Sequence, residues 1–308
     1  MKRDILTFAE INKDELEQLL ESTDELKEAL SDGHLEKPFK DKSAVLIFEK
    51  PSTRTRVSFE IALWQLGGQP IVLNSTDMQL GRGETIEDTG RVLSRYCDII
   101  IIRTFKHENV EKLASSASVP VINALSDMYH PCQALADLFT IREIKGDLKG
   151  RKIAYTGDGN NVCHSLLLAA ATAGMDMAVA APSRYMPDRK VVEKAEEIAL
   201  TNRCSVLVTD DVSLAVKEAD VLYTDVWVSM GDEEEALERI KVLKDYQINE
   251  DVLSMANEDA IVMHCMPAHR GEEITSGVMD GQSSVVFEQA ENRLHAQKAL
   301  LKWILDSD

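Results

Sequence analysis

The chain has 308 residues, 44% of them hydrophobic and 5% aromatic, and a formal charge of 34 − 53 = −19. That length suits two domains of about 150 residues rather than one, and the acidic balance argues against nucleic acid or an anionic membrane surface as a partner. Any anion site must therefore be local, built from aimed arginines rather than from a general positive field. The start, MKRDILTFAEINKDELEQLL, has no apolar core with a cleavage site, and no apolar run approaches about 18 residues. Neither export nor membrane spanning is expected, and the expected compartment is the cytoplasm. Cys97, Cys132, Cys163, Cys204 and Cys265 are scattered, odd in number and without a CxxC pair, which fits reduced thiols and excludes a disulfide framework or a structural zinc knuckle.

Asn12-x-x-Glu15 predicts a helix start of the capping-box kind, and Leu16, Leu19, Leu20, Leu26 and Leu30 carry an amphipathic helix to the stop at Ser31-Asp32-Gly33. Strands and helices then alternate. Strand 43–48 precedes helix 54–66, ended by Gly67-Gly68; strand 69–73 leads through a polar loop, 74–84, to helix 85–96. Strand 98–102 is an unbroken apolar run, the mark of a strand covered on both faces. A helix near 107–117, strand 119–123 and helix 132–145 complete the first series. After Gly146–Gly150 the pattern restarts with strand 151–156, helix 162–173, strand 175–181, helix 188–201, strand 205–209, helix 211–217 and strand 219–224. An acidic segment, 232–251, precedes strand 260–263 and a closing helix at 289–305.

Two successive βα series predict an α/β protein of two doubly wound domains, 1–145 and 146–308, each with a mostly parallel sheet flanked by helices. Ligands of such sheets bind beyond the carboxyl ends of the strands. Six polar loops occupy those ends: Lys50–Arg56, Arg103-Thr104, His130–Gln133, Gly157–Asn161, Asp225–Gly231 and His264–Pro267. They are expected to converge on an active site in the cleft between the domains.

Lys50-Pro51-Ser52-Thr53-Arg54-Thr55-Arg56 joins a buried strand to a helix start. Helix N-termini carry unpartnered amides and a positive dipole end. Ser52, Thr53 and Thr55 add hydroxyl donors, and two guanidiniums can grip phosphate oxygens bidentately. The stretch reads as a phosphate site rather than as a plain N-cap with exposed arginines. Arg103, closing a four-isoleucine strand, reads as a charge aimed into that site. His130 and Gln133 share one side of a helix start, where the imidazole can donate to a carbonyl oxygen and the amide can accept from an N–H₂ group.

Gly157-Asp158-Gly159-Asn160-Asn161-Val162 resembles a dinucleotide fingerprint, but Val162 stands at the third glycine and no acidic residue closes the next strand. A nicotinamide dehydrogenase is thereby disfavoured. Asn160 and Asn161 can instead offer neutral amides to a zwitterionic ligand. Asp225 is either a carboxylate for a ligand ammonium group or a solvated loop residue. Cys265 is either apolar filler or a thiol beside an incoming amine; covalent catalysis is not assigned, because His264 would alternate to the opposite face.

With these loops assembled, the chain resembles the aspartate/ornithine carbamoyltransferase family along essentially its whole length. Ser52–Arg56 and His130–Gln133 look like its carbamoyl phosphate motifs. Gln79-Leu80-Gly81-Arg82-Gly83-Glu84, Asp225 with Ser229-Met230-Gly231, and His264-Cys265-Met266-Pro267 look like the ornithine-specific members. Aspartate-specific members carry a proline where Cys265 stands; Met266 departs from a usual leucine, at similar volume. The resemblance implies a carbamoyl phosphate domain followed by an ornithine domain, with the last helix packing back on the first. It also implies transfer of the carbamoyl group of carbamoyl phosphate to L-ornithine, giving citrulline and phosphate, in arginine biosynthesis or the arginine deiminase pathway, without metal or organic cofactor. By position, Ser52, Thr53, Arg54, Thr55, Gln79 and Arg103 would hold the phosphate. Arg103, His130, Pro131, Cys132, Gln133 and Arg293, with backbone at Cys265 and Met266, would hold the carbamoyl group. Asn161, Asp225, Ser229 and Met230 would hold ornithine, and Arg54, Arg103, His130 and Cys265 would act in catalysis. A homotrimer, or an assembly of trimers, is implied, with the loop of Gln79 completing a neighbour's site. The alternatives are another acceptor amine, such as putrescine or an N-acylated ornithine, and a catalytically silent binding relative.

Overall fold

Helix α1 (Lys13–Ser31) starts at a reciprocal cap: Asn12 Oδ1 accepts from the Glu15 amide at 3.1 Å and Glu15 Oε2 from the Asn12 amide at 2.9 Å. The next elements alternate as their patterns require: β1 (Ser43–Phe48), α2 (Thr53–Gln65), β2 (Gln69–Asn74), α3 (Ile86–Leu93), β3 (Ile99–Arg103), α4 (His107–Ser116), β4 (Val121–Leu125) and α5 (Pro131–Lys145). The second series is β5 (Lys152–Thr156), α6 (Asn161–Ala173), β6 (Asp176–Ala180), α7 (Arg189–Asn202), β7 (Val206–Thr209), α8 (Val212–Val216), β8 (Val221–Thr224), α9 (Ala236–Leu243), α10 (Glu250–Ser254), β9 (Ile261–His264), α11 (Ser276–Met279) and α12 (Val286–Asp306). The computed structural model describes residues 2–74, 83–228 and 233–306. Gln79, Ser229 and Met230 of the anticipated site lie outside the described residues.

The chain divides into unit 1, Met1–Phe139 with Asn292–Asp308, and unit 2, Thr140–Glu291. Unit 1 holds a parallel sheet in the order β2-β1-β3-β4, and unit 2 a parallel sheet in the order β7-β6-β5-β8-β9. Both are doubly wound, the chain reversing its direction of travel between β1 and β3 in the first sheet and between β5 and β8 in the second. β1, β3 and β8 are buried along nearly their whole length, as central parallel strands must be, and β9 is buried too although it ends its sheet, where the Val262 amide donates to the Ser283 carbonyl at 2.7 Å. Within unit 1, α12 is tied down by Lys27 donating to Asn292 at 2.8 Å, Lys298 donating to the Leu26 carbonyl at 3.2 Å, and Arg3 lying 4.0 Å over the Trp303 ring.

Some boundaries move for local reasons. β4 begins at Val121 rather than 119, because Pro120 has no N–H and contributes only its carbonyl, to the Ile100 amide at 2.9 Å. The segment 232–251 is not merely acidic linker: it includes α9 and the start of α10, whose buried residues include Arg239, Leu243 and Val252. The closing helix starts three residues earlier than its apolar spacing suggests, and α11 lies in a stretch that showed no periodic signal. Among the described residues no helix is long and apolar enough to cross a membrane.

Candidate functional site

In each unit the polar groups gather at the reversal of strand order, where two neighbouring loops leave the sheet in opposite directions and open a crevice. In unit 1 those loops follow β1 and β3. Ser52 caps α2, its hydroxyl accepting from the Thr55 amide at 3.2 Å. That geometry turns Thr55 inward, fully buried, while Thr53 and Arg54 face solvent at the helix start. Arg103 ends β3 in register with Phe48 and reaches across, Nη1 donating to Thr55 Oγ1 at 3.3 Å. Arg293, from α12, donates to the same oxygen at 2.7 Å. With both lone pairs engaged, the Thr55 hydroxyl is left as a donor. Two guanidiniums on one hydroxyl concentrate positive charge at a helix N-terminus, a combination suited to a dianion.

Arg293 is the hub of this cluster. Its Nη1 donates to Gln133 Oε1 at 3.2 Å, and its Nη2 lies 3.2 Å from His130 Nε2. A guanidinium cannot accept, so His130 Nε2 carries the lone pair and the neutral ring holds its proton on Nδ1. Burial first, then the Arg293 and Arg103 charges, push the His130 pKa well below the ordinary histidine value. Gln133 is oriented unambiguously, because its Nε2 donates to the buried Asp137 at 2.8 Å. Pro131 opens α5, where a missing N–H costs nothing. The Cys132 thiol points away, to the Asn123 carbonyl at 3.5 Å, and burial pushes it up to about 12. Two expectations change here. His130 offers a donor at Nδ1 and not at Nε2 in this arrangement, and the Gln133 carbonyl is engaged by Arg293.

In unit 2 the loops follow β5 and β8, with β9 alongside. Asn160 caps α6, its Oδ1 accepting from the amides of Val162 at 2.9 Å and Cys163 at 3.2 Å. Its Nδ2 donates to Asp225 Oδ2 at 2.8 Å, bridging the reversal point. Cys265, just beyond β9, donates its thiol to Asp225 Oδ1 at 2.9 Å. Asp225 is therefore a buried, pre-oriented carboxylate, not a solvated loop residue. Asn160 is consumed by capping and by Asp225, while Asn161 lies half-buried in the first turn of α6.

The Gly157–Val162 loop is filled by its own chain. A side chain at Gly159 would meet Pro187 N at 2.3 Å, and one at Gly157, whose φ is +125°, would meet Trp227 Nε1 at 3.1 Å. Asp158 is engaged by the buried Arg239, which also donates to the Trp227 carbonyl at 2.6 Å. These glycines serve internal packing where a dinucleotide loop needs room for a pyrophosphate, so the nicotinamide reading has no geometric support.

Both halves of the chain match known families. The carbamoyl-P binding domain of aspartate/ornithine carbamoyltransferase matches residues 3–143, and the Asp/Orn binding domain of the same enzymes matches 149–304. The chain belongs to the aspartate/ornithine carbamoyltransferase family. Its relatives include the ornithine carbamoyltransferases of Oceanobacillus iheyensis, 57% identical over 97% of this chain and 93% of that one, and of Anoxybacillus flavithermus, 55% identical over 98% and 96%. The structure of ornithine carbamoyltransferase from Pyrococcus furiosus matches with a TM-score of 0.96 and 51% identity, covering 99% of this chain and 98% of that one.

Against that family frame, Ser52, Thr53, Arg54, Thr55, Arg103, His130, Pro131, Cys132, Gln133 and Arg293 all lie in unit 1, while Asn161, Asp225, Cys265 and Met266 lie in unit 2. Residue-level reading of the loops missed three supporting groups: Asp137 behind Gln133, Arg239 behind Asp158, and Glu273 behind His264. All three are buried side chains of ionisable type, a kind that patterning reads as surface, and the Arg239 partner lies 81 residues away in sequence. Asp225, His264 and Cys265 offer ligand atoms within 4.8 Å of one another. However, His264 commits Nδ1 to the Met266 amide at 2.9 Å and Nε2 to Glu273 at 3.1 Å, leaving no ring nitrogen for a cation.

Proposed function

We propose that this chain transfers the carbamoyl group of carbamoyl phosphate to the δ-amine of L-ornithine, yielding L-citrulline and inorganic phosphate. The observation that carries the choice of acceptor is the buried Asp225 carboxylate hydrogen-bonded to the Cys265 thiol at 2.9 Å. A carboxylate held there repels a dicarboxylic acceptor such as aspartate and attracts a diamino acid. Relatives between 52% and 57% identical carry the ornithine name, and no feature of the described residues favours putrescine, an acylated acceptor or a silent relative.

Ser52, Thr53, Arg54, Thr55 and Arg103 hold the phosphate of the donor, with Gln79 as a further contact. Arg103, His130, Gln133 and Arg293 face its carbamoyl end, with Pro131 and Cys132 beside them and with backbone at Cys265 and Met266. Asn161 and Asp225, with Ser229 and Met230, hold the amino-acid end of ornithine. The neutral δ-amine attacks the carbamoyl carbon; the new C–N bond forms, the C–O bond to phosphorus breaks, and the phosphate leaves with the electron pair. The amine nitrogen gives up a proton, for which the departing phosphate is an acceptor. Negative charge grows on the carbamoyl oxygen and on the phosphate, so donors fixed beforehand by Thr55 and Arg293 stabilise it without reorganising. Cys265 acts by hydrogen bonding near the amine, and neither a metal nor an organic cofactor enters this scheme.

We further propose a homotrimer, or an assembly of trimers, working in the cytoplasm in arginine biosynthesis or the arginine deiminase pathway. Val57, Ile61 and Trp64 support the assembly: they lie at i, i+4 and i+7 on α2 and are 53%, 38% and 69% exposed, an apolar stripe that a second copy would cover. The test of the activity is phosphate release and carbamoyl-product formation with carbamoyl phosphate against ornithine, putrescine, N-acetylornithine and aspartate. Turnover with ornithine well above the others is expected; preference for another amine, or binding without turnover, overturns the proposal.

A further inference from the structure

Between β9 and α11, three side chains that the transfer reaction does not use meet on one turn. His269, Glu272 and Glu273 each bring a ligand atom within 4.8 Å of the other two. The turn is closed on itself: the Glu272 amide donates to the His269 carbonyl at 2.9 Å, and the Gly271 amide to the Ile274 carbonyl at 2.8 Å. Gly271 makes the reversal at φ +90°, where a side chain would strain the backbone. Gln247 and Ile248 pin the turn from outside. Gln247 Nε2 donates to the carbonyls of Gly271 at 3.0 Å and Glu272 at 2.6 Å, and the Ile248 amide donates to the Glu273 carbonyl at 2.9 Å.

Glu273 is completely buried, yet only one of its oxygens is satisfied. Oε1 meets the His264 ring at 3.1 Å and accepts the His269 amide at 2.5 Å, whereas Oε2 makes no hydrogen bond. A buried carboxylate oxygen left in that state is costly. What faces it is His269 Nδ1 at 3.9 Å, which also lies 3.8 Å from Glu272 Oε2. Both separations are too long for hydrogen bonds, since an imidazolium bonded to a carboxylate would close to about 2.7–2.9 Å. They are near the about 3.4 Å that separates two ligands of one tetrahedral cation whose bonds are about 2.0–2.2 Å long. Arg270 does not fill the gap, because its guanidinium pairs with Asp280 at 2.6 and 2.9 Å.

We propose that His269, Glu272 and Glu273 bind a divalent transition-metal cation of the zinc and cobalt class. One imidazole nitrogen and two carboxylate oxygens suit such ions over magnesium or calcium, which take oxygen alone. Glu273 Oε2 is the buried anchor. His269 and Glu272, with side chains 47% and 38% exposed, supply the other two ligands and leave the remaining positions to water. The cation satisfies the stranded oxygen and neutralises two adjacent carboxylates. Because the unfolded chain does not assemble the three ligands, binding also stabilises the folded state. No step of the proposed carbamoyl transfer passes through this site.

The test is calorimetric titration of the full chain with Co²⁺, and separately with Mg²⁺ and Ca²⁺, without a polyhistidine tag and in a buffer free of phosphate and chelator. Cys265→Ser is the background in every arm, so that the thiol beside Asp225 takes no part. One Co²⁺ per chain is expected, bound at least about 100-fold more tightly than Mg²⁺ or Ca²⁺. His269→Ala should weaken it by about 100-fold and Glu272→Gln by about 10-fold. The rise in unfolding temperature that Co²⁺ gives the background protein should be lost in both variants. Absence of Co²⁺ binding, Ca²⁺ binding of equal strength, or Co²⁺ binding that survives both substitutions overturns the proposal. Should His269→Ala fail to fold, Glu272→Gln decides alone.

Discussion

His130 makes folding of unit 1 sensitive to acid in a way that can be isolated. The ring is buried, beside Arg293 and Arg103, and its pKa lies well below the ordinary value of 6.5. In the unfolded chain the same histidine takes up a proton at about pH 6.5. Between that pH and the depressed folded value, the unfolded state binds one more proton than the folded state. Stability contributed by neutral His130 is therefore complete above about pH 6.5 and falls by about 1.4 kcal/mol per pH unit below it. Lowering the pH below about 6.5 should go on costing stability at this residue until the depressed folded pKa is reached. His130→Gln keeps an oxygen able to accept from Arg293 and removes the titration. The assay is urea unfolding at fixed protein concentration from pH 7.5 to 5.0, in a Trp227→Phe background so that Trp64 and Trp303 report on unit 1. Phosphate is omitted from the buffer, since a bound anion would favour the charged ring. His107, also lowered mainly by burial, is common to both proteins and cancels in the difference, as does every other histidine. The gap between wild type and variant should shift as the pH falls below about 6.5, by at most about 1.4 kcal/mol per pH unit. A gap that is flat with pH refutes the neutral, Arg293-facing His130.

Arg54→Gly should lower kcat by about 100-fold or more, as loss of a transition-state donor does, while unfolding free energy moves by under about 1 kcal/mol because the side chain faces solvent; an unchanged kcat removes Arg54 from the developing charge. Asp225→Asn should weaken ornithine by about 10- to 100-fold in KM, the range of a lost charge-assisted hydrogen bond, with carbamoyl phosphate affected far less; equal losses for both substrates count against the assignment. Cys265→Ser retains a hydroxyl able to donate to Asp225 and should keep measurable turnover with a raised ornithine KM, and a carbamoylated cysteine trapped in the wild type would show the thiol to be a nucleophile after all. Lys298, its pKa lowered by burial to about 8, should leave Lys298→Met more stable than wild type at pH 7, by an advantage that shrinks as pH rises from 8 towards the unfolded value.

The fold was legible wherever a local cause acts. Asn12, Ser52, Thr85 and Asn160 each mark a helix start because a side-chain oxygen and an orphan amide lie within three residues of each other. The isoleucine run of β3 announces a covered strand for the same reason, since its burial is written in its own composition. The site was legible only in part. Placing polar loops at strand ends picked out Thr55, Arg103, His130, Gln133, Asp225 and Cys265 from position. Arg293 required the family resemblance, because nothing in α12 distinguishes it from any other helical arginine; its partners lie 160 or more residues away. Asn160 and Asn161 could not be separated by type, and the structure separates them by which one caps. Glu273 was invisible, as a glutamate after Arg270-Gly271 reads as surface until its burial is known.

A chain of charge −19 can still collect a dianion because the relevant distances are short. Exposed charges are screened over about 8–10 Å at physiological ionic strength, so most of the excess carboxylates on the surface contribute little at Thr55. Arg293 and Arg103 lie within 3.3 Å of one oxygen, and Gln133, which accepts from Arg293, in turn donates to Asp137. A neutral amide at this place orients Arg293, where a carboxylate in the same place would spend part of its charge on the protein itself. Unit 2 uses the same device with the sign reversed. The neutral Asn160 amide and Cys265 thiol both donate to the Asp225 carboxylate and hold it in place. Replacing either neutral intermediary by a charge, Gln133→Glu or Asn160→Lys, should therefore abolish ligand binding in its own unit more completely than deleting the intermediary with alanine. Calorimetric titration with inorganic phosphate for the first and with ornithine for the second measures it. Alanine variants as weak as the charged ones would show that orientation, and not charge, is what these amides supply.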